Sequence, residues 1–185
     1  FEDYKNKLIV LVNDMAKVHN LDIFDVYGRV KSDSSLLRKV TEDKNVHYQI
    51  IQEVSDVVGI RIVTFYENEV DRVVQYLSKD FQIVQEFTKN RVSKHTPEHL
   101  GYAIDRTVVQ IPQYRLKLME YNRFSGMQAE IQICSFFQHA WEKIEQHVGY
   151  SEERFPKEIL RDFSQLAYLL ELFDSELNKV RDFLT

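Results

Sequence analysis

The chain has one cysteine, three prolines, five glycines and one tryptophan among its 185 residues. A lone thiol, Cys134, can close no internal disulfide and can build no thiolate zinc cluster, so a reducing compartment, the cytoplasm, is the expected setting. No apolar run approaches the roughly 20 residues that a membrane-spanning helix needs, and Phe1 opens no basic stretch followed by an apolar one. No membrane span or secretory leader is expected, and a chain that opens on Phe1 is expected to be preceded by further sequence. An excess of positive charge is missing too: 29 acidic residues against 24 basic ones leave a formal charge of -5. That balance excludes a surface that binds polyanions everywhere, so any phosphate site has to be local.

What is present is apolar: 44% hydrophobic and 12% aromatic residues, enough to bury a core without covalent staples, in a length suited to one domain with an appended helix. Tyr4, Leu8, Leu11, Val12 and Met15 recur at helical spacing within residues 1–19. Residues 23–31 alternate as a strand does, and Ser32, Asp33 and Ser34 then offer capping chemistry to a short helix. Residues 56–66 are β-branched and nearly continuous in apolar character, as a buried central strand is. A helix carrying Val70, Val73, Val74 and Leu77 follows, then a strand at 81–87, a loop at 88–100 and strands at 102–111 and 127–133. A helix is expected over 135–149, with Trp141 in the core. From Pro156 onward Ile159, Leu160, Phe163, Leu166, Ala167, Leu170, Phe173, Leu177, Val180 and Leu184 form a stripe on one long amphipathic helix.

Chemistry concentrates in a few places. Tyr27 to Lys39 holds Arg29, Lys31, Arg38 and Lys39 against Asp33 alone, beside a predicted helix N-terminus, where free N–H groups and the Ser34 or Ser35 hydroxyls favour a phosphate. Lys89, Arg91 and Lys94 form a second basic run. Each run reads equally as a solvated face. Asp56 opens an apolar strand and Glu130 interrupts another. The two carboxylates either hold a divalent cation and take a proton from a hydroxyl, or cap a strand and face solvent; spacing alone does not choose.

Five segments in order, RVKSDSSLLRK, SDVVGIRIV, LGYAIDRTVV, AEIQI and QHAWEKIEQHVGY, resemble the synthetase domain of the RelA/SpoT family over roughly Tyr27 to Tyr150. The resemblance implies an α+β, nucleotidyltransferase-like fold: a mixed β-sheet flanked by helices in residues 1–150, extended by a helix in 151–185 that packs on the domain or on a partner. It implies Mg²⁺-dependent transfer of pyrophosphate from ATP to the 3′-hydroxyl of GDP or GTP, giving the alarmone (p)ppGpp of the stringent response. Arg29 and Arg61 match the pair that sandwiches the ATP adenine, and Lys31, Ser35 and Lys39 match donor-phosphate contacts. Asp56 matches the Mg²⁺-binding aspartate, and Glu130 the glutamate that acts on the acceptor hydroxyl as base or second metal contact. Tyr102 matches the tyrosine that stacks on the acceptor guanine, while Gln132 and His139 fall at acceptor-side positions. Lys89, Arg91 and Lys94 are further candidates for the acceptor's phosphates.

Departures from the family pattern fall on the acceptor side. Arg106 stands where a histidine is common, Cys134 replaces an arginine, and Gln146 takes a histidine's place with His147 displaced by one. The expected function is therefore an alarmone synthetase without a hydrolase domain, possible as a homo-oligomer. One alternative is a toxic relative that modifies tRNA 3′ ends or adenine nucleotides and needs an antitoxin partner. A second is a degenerate nucleotide-binding module.

Overall fold

The computed structural model describes residues 1–42, 54–88, 104–149 and 155–184, with backbone alone for 39–42 and 86–88. The chain order is α1 (Glu2–Val18), β1 (Ile23–Val30), α2 (Asp33–Glu42), β2 (Val58–Thr64), α3 (Glu67–Asp80), β3 (Gln82–Thr88), β4 (Asp105–Gln110), α4 (Gln113–Leu116), β5 (Ala129–Ser135), α5 (Phe136–Val148) and α6 (Lys157–Leu184). The predicted strands and long helices are all represented. Residues 112–126, expected as plain loop, contain α4 and a 3-10 turn at Asn122–Phe124, and β5, expected at 127–133, runs from Ala129 to Ser135.

One mixed sheet orders its five strands β1-β2-β5-β4-β3, with β2 and β5 parallel and every other pair antiparallel. Register fixes what each face carries, because successive side chains point to opposite sides. Val58, Ile60 and Ile62 pair with Val30, Gly28 and Val26 on one side, while Ile60 and Ile62 pair with Ile131 and Ile133 on the other. This is the core face. Tyr4, Leu8, Val12 and Met15 of α1 and Val70, Val73 and Leu77 of α3 close over it, as their helical spacing predicts. The opposite face carries Arg29, Arg61, Glu130, Gln132 and Arg106.

At Gly28 the strand lies close under α1. A Cβ there would lie 2.7 Å from Ile60 Cδ1, 2.9 Å from Lys5 Cγ and 3.1 Å from the Gly59 carbonyl.

Helix α5 begins where β5 ends. Ser135 accepts from the Gln138 N–H at 3.2 Å, and the Gln138 side chain accepts from the Ser135 N–H at 2.8 Å, so two end donors are satisfied reciprocally. Trp141 is buried, its Nε1 donating to Glu145 at 2.7 Å, and its ring meets Phe163 of α6 at 5.7 Å.

Only half of the α6 stripe turns inward. Leu160, Phe163, Ala167, Leu170 and Leu177 are partly covered against the domain, whereas Ile159, Leu166, Phe173, Val180 and Leu184 are exposed. The inward face is completed by polar residues one helical turn apart. Asp174, 1% exposed, accepts from Ser135 Oγ; Asn178 Oδ1 accepts from the Asn68 N–H at 3.5 Å; Arg181 pairs with buried Glu69 at 3.0 Å. Asp174 and Asn178 thus face the N-termini of α5 and α3, where acceptors are favoured.

Two stability predictions follow from these contacts. Gly28→Ala should cost about 1–3 kcal/mol, because the clash involves backbone and a packed Ile60 rather than solvent; urea unfolding with an unchanged midpoint would contradict it. Burial pushes the Asp174 carboxyl up to about 6 against the opposing hydrogen bond from Ser135. A carboxyl raised on folding stabilises when protonated, fully below its ordinary value, and that contribution is lost as pH rises through about 6. Asp174→Asn should therefore flatten the fall in melting temperature between pH 4 and 6, by an equivalent of up to about 3 kcal/mol.

Candidate functional site

The polar sheet face gains its donors from four strands in register. Arg29 on β1 lies opposite Gly59 on β2, which lies beside Glu130 on β5; Tyr27 lies opposite Arg61, which lies beside Gln132, which lies opposite Arg106 on β4. Gly59 leaves the middle of the first row open, since a Cβ there would touch only Arg29 Cγ, at 3.8 Å. Arg29 and Arg106 are exposed, and Glu130 and Gln132 half-buried.

At the end of the sheet where β1 leaves and β2 enters, Lys31 Nζ donates to Asp56 Oδ2 at 2.6 Å, both side chains being 22% exposed. The Lys31 N–H also donates to the Val57 carbonyl at 2.8 Å, tying the two chain segments together. Ser32 then caps α2: its Oγ accepts from the Ser35 N–H at 3.4 Å and donates to Ser35 Oγ at 3.0 Å. Leu36, packed on Val54 and Val57, anchors that first turn. Register and these contacts thus place Arg29, Lys31, Asp56, Glu130 and the start of α2 toward one end of the polar face. The Lys39 side chain, Tyr102, Lys89, Arg91 and Lys94 lie outside the described residues.

Arg61 is engaged differently from the expectation of a stacking partner for Arg29. Its guanidinium donates through Nη1 and Nη2 to both carboxylate oxygens of Glu142, the Nη2 contact to Oε1 being 3.0 Å, and Nη2 also donates to Gln132 Oε1. His139 Nδ1 lies 3.4 Å from Nη1, and the Tyr27 ring meets the His139 ring edge-on at 6.0 Å. The Arg61 side chain is 10% exposed and Glu142 20%. Gln132 passes the network on, donating to Glu130 Oε1.

The electrostatics follow from that packing. Burial alone would raise the Glu142 carboxyl, but the hydrogen bonds and charge of Arg61 hold it below its ordinary value, so it is ionised. Burial and the neighbouring Arg61 cation lower His139, which is neutral at pH 7 and able to accept. Glu142 was not among the sequence candidates. Its signal was its place three residues after His139, on the same face of a helix.

Cys134, on the polar-face side of β5, is buried with Val63 and Ile104. Burial pushes its thiol up to about 12. Among the described residues no group of three or more His, Cys, Asp or Glu side chains could by itself hold a metal ion, and no helix is long and apolar enough to cross a membrane.

A family model for the region found in RelA / SpoT proteins matches residues 28–154. No curated protein matches the chain. Among solved structures, the small alarmone synthetase 1 from Bacillus subtilis is similar at 22% identity and a TM-score of 0.75, covering 99% of this chain and 93% of its own. Structures of that synthetase bound to its product pppGpp and to AMPCPP match at TM-scores of 0.73 and 0.72, with 22% and 20% identity. They cover 98% and 99% of this chain and 92% of each of their own. The small alarmone synthetase 2 from the same organism has 20% identity and a TM-score of 0.76, covering 98% of this chain and 94% of its own.

The state of Cys134 is directly measurable. A thiol reagent at pH 8 should label the native protein at least about 100-fold more slowly than the unfolded chain, since attack needs an exposed thiolate; comparable rates would place Cys134 at the surface.

Proposed function

The chain belongs to the family defined by the region found in RelA and SpoT proteins, and from that membership we propose that it transfers a pyrophosphoryl group from ATP to the 3′-hydroxyl of GDP or GTP. The observation that carries the reading is the gathering of Arg29, the Lys31–Asp56 pair, Glu130 and the capped start of α2 at one end of the polar sheet face. The similar Bacillus synthetase binds AMPCPP and pppGpp, a triphosphate analogue and an alarmone, which supports nucleotides as the ligands of this face.

In this reading the exposed Arg29 guanidinium stacks on the adenine, with Arg61 as its partner across the ring. Lys31, Ser35 and Lys39 hold the donor phosphates at the positive end of α2. The acceptor lies toward Gln132, His139 and Arg106, with Tyr102 stacked on its base and Lys89, Arg91 and Lys94 near its phosphates. Glu130 takes the proton of the 3′-hydroxyl as that oxygen attacks the β-phosphorus of ATP, the α–β bridging bond breaks and AMP leaves.

Asp56 and Glu130 fit Mg²⁺ by donor chemistry, since that ion takes one or two carboxylates plus substrate phosphates rather than a complete protein cage. When bound there it would neutralise charge on the phosphates in flight. Asp56 is held by Lys31 until a phosphate gives that ammonium another partner.

Incubation with Mg²⁺ and ATP labelled in its β-phosphate, with GDP, GTP, ATP or deacylated tRNA as sole acceptor, tests the reading. Label should pass to GDP or GTP, and Glu130→Gln should lower the rate by about 10²–10⁴-fold while AMPCPP still binds. Label in tRNA or in adenine nucleotides would put that acceptor in place of GDP and GTP on this face. Retained ATP binding without transfer would make the chain a nucleotide-binding module.

A further inference from the structure

We propose that Glu142 is an internal competitor for Arg61, and that the strength of this pair sets how tightly the site takes an adenine nucleotide. The inference rests on the reading of Arg61 as a nucleotide contact. It deepens that reading by naming a residue on α5 that regulates the contact.

The geometry is specific. Arg61 projects from the middle of β2, where Tyr27 flanks it from β1 and Gln132 from β5, and α5 lays Glu142 and His139 against the guanidinium from above. Both Glu142 oxygens, the Gln132 amide oxygen and His139 meet the two terminal nitrogens. A ring stacking on a guanidinium needs the face of its plane open. With 10% of the side chain exposed, the Arg61 guanidinium is out of an incoming ring's reach where its partners hold it. Arg29, in the neighbouring row, is exposed and in position. One half of the expected adenine clamp is therefore exposed, and the other is held among its hydrogen-bond partners, the bidentate one being the Glu142 carboxylate.

Helix α5 does not depend on this contact for its place. Its start is fixed by the reciprocal Ser135–Gln138 cap, its middle by Trp141 against Phe163, and its first residues by the Ser135–Asp174 bond to α6. Glu142 can release Arg61 by rotating about its own side chain while the helix stays docked. Apparent affinity then equals intrinsic affinity scaled by the fraction of molecules in which Arg61 is released. Weakening the pair raises that fraction. The groups facing the pair are Tyr27 from β1, Gln132 and Cys134 from β5, and His139 and Lys143 from α5, with Glu130 bonded to Gln132 and Asp25 of β1 acting on His139.

The test is AMPCPP binding by calorimetry, at fixed salt, to the full chain and to two variants. Glu142→Gln keeps size and loses charge; Glu142→Asp keeps charge and loses reach. Both should bind AMPCPP about three- to thirty-fold more tightly than the parent, the range expected when a partly exposed ion pair is removed. Loss of a negative charge could strengthen phosphate binding without involving Arg61. The gain from Glu142→Gln must therefore vanish in an Arg61→Ala background, and Glu142→Asp, which changes no charge, must show it too. Equal or weaker binding by both variants would overturn the proposal and make Glu142 a support that holds Arg61 in place. A gain that persists in Arg61→Ala would overturn it as well. If the parent binds AMPCPP and neither variant gains, this inference alone fails. If no form binds, the nucleotide reading of the face fails with it.

Discussion

The pairing of β2 with β5 is the constraint on which the site depends. They are the only parallel neighbours among the described strands, and their register sets Gly59 beside Glu130 and Arg61 beside Gln132. The same register sets Ile60 and Ile62 beside Ile131 and Ile133 under α1 and α3. A slip of one residue would carry Arg61 and Glu130 into the core and expel the isoleucines, so the apolar pattern that stabilises the fold also aims the polar groups. The burial of about five β-branched side chains thus enforces the geometry of the functional ones. Gly28 belongs to the same constraint, because α1 seats over β1 only where no side chain intervenes.

The polar face of a sheet that bears arginine must answer for the charge. A guanidinium nine-tenths covered is costly unless its donors are satisfied, and α5 brings Glu142 and His139 to that task while Gln132 supplies the third acceptor. At the end of the sheet Lys31 and Asp56 meet the same need by pairing with each other. The long helix α6 extends the logic to the far side. Its Asp174, Asn178 and Arg181 meet two helix N-termini and a buried glutamate, so its docking is set by polar partners spaced one turn apart as well as by apolar contact.

That seam explains where sequence reading stopped. The elements were legible because period-2 and period-3.6 apolar patterns name strands and helices directly: β2 was visible in its continuous β-branched run, and α1 in Tyr4, Leu8, Val12 and Met15. Arg29, Lys31, Ser35, Asp56 and Glu130 sit within contiguous motifs, which is why they could be named as candidates from the sequence. The α6 stripe was legible as one long helix, yet only part of it turns inward, because a helix that docks through Asp174 and Arg181 leaves Leu166 and Val180 outside, and periodicity counts only the apolar residues. Glu142 was missed for the converse reason. Its partner Arg61 is 81 residues away in sequence, and a glutamate on a helix face is indistinguishable from a solvated one until the fold brings the two together. Cys134 was legible as a substitution, while its burial with Val63 and Ile104 could come only from the sheet.

The count of charges in the sequence overstates the field the site presents. Arg29, Lys31, Arg38 and Lys39 read as a basic cluster, and Arg61 adds to it, yet Lys31 and Arg61 each carry a carboxylate partner within the protein. A polyphosphate approaching this face meets two cations already paired. It must exchange with Asp56 and Glu142 rather than fall into an open positive well. Such an exchange costs the ligand part of its electrostatic gain, because each displaced carboxylate needs a new partner, and it rewards ligands that provide one. On the proposed reading, a nucleotide carried with a divalent cation would provide one for Asp56 and Glu130. The acidic average of the chain and the internal pairing of its site cations therefore act in one direction: they disfavour bulk polyanions and leave the polar face to a ligand that engages base and phosphates together.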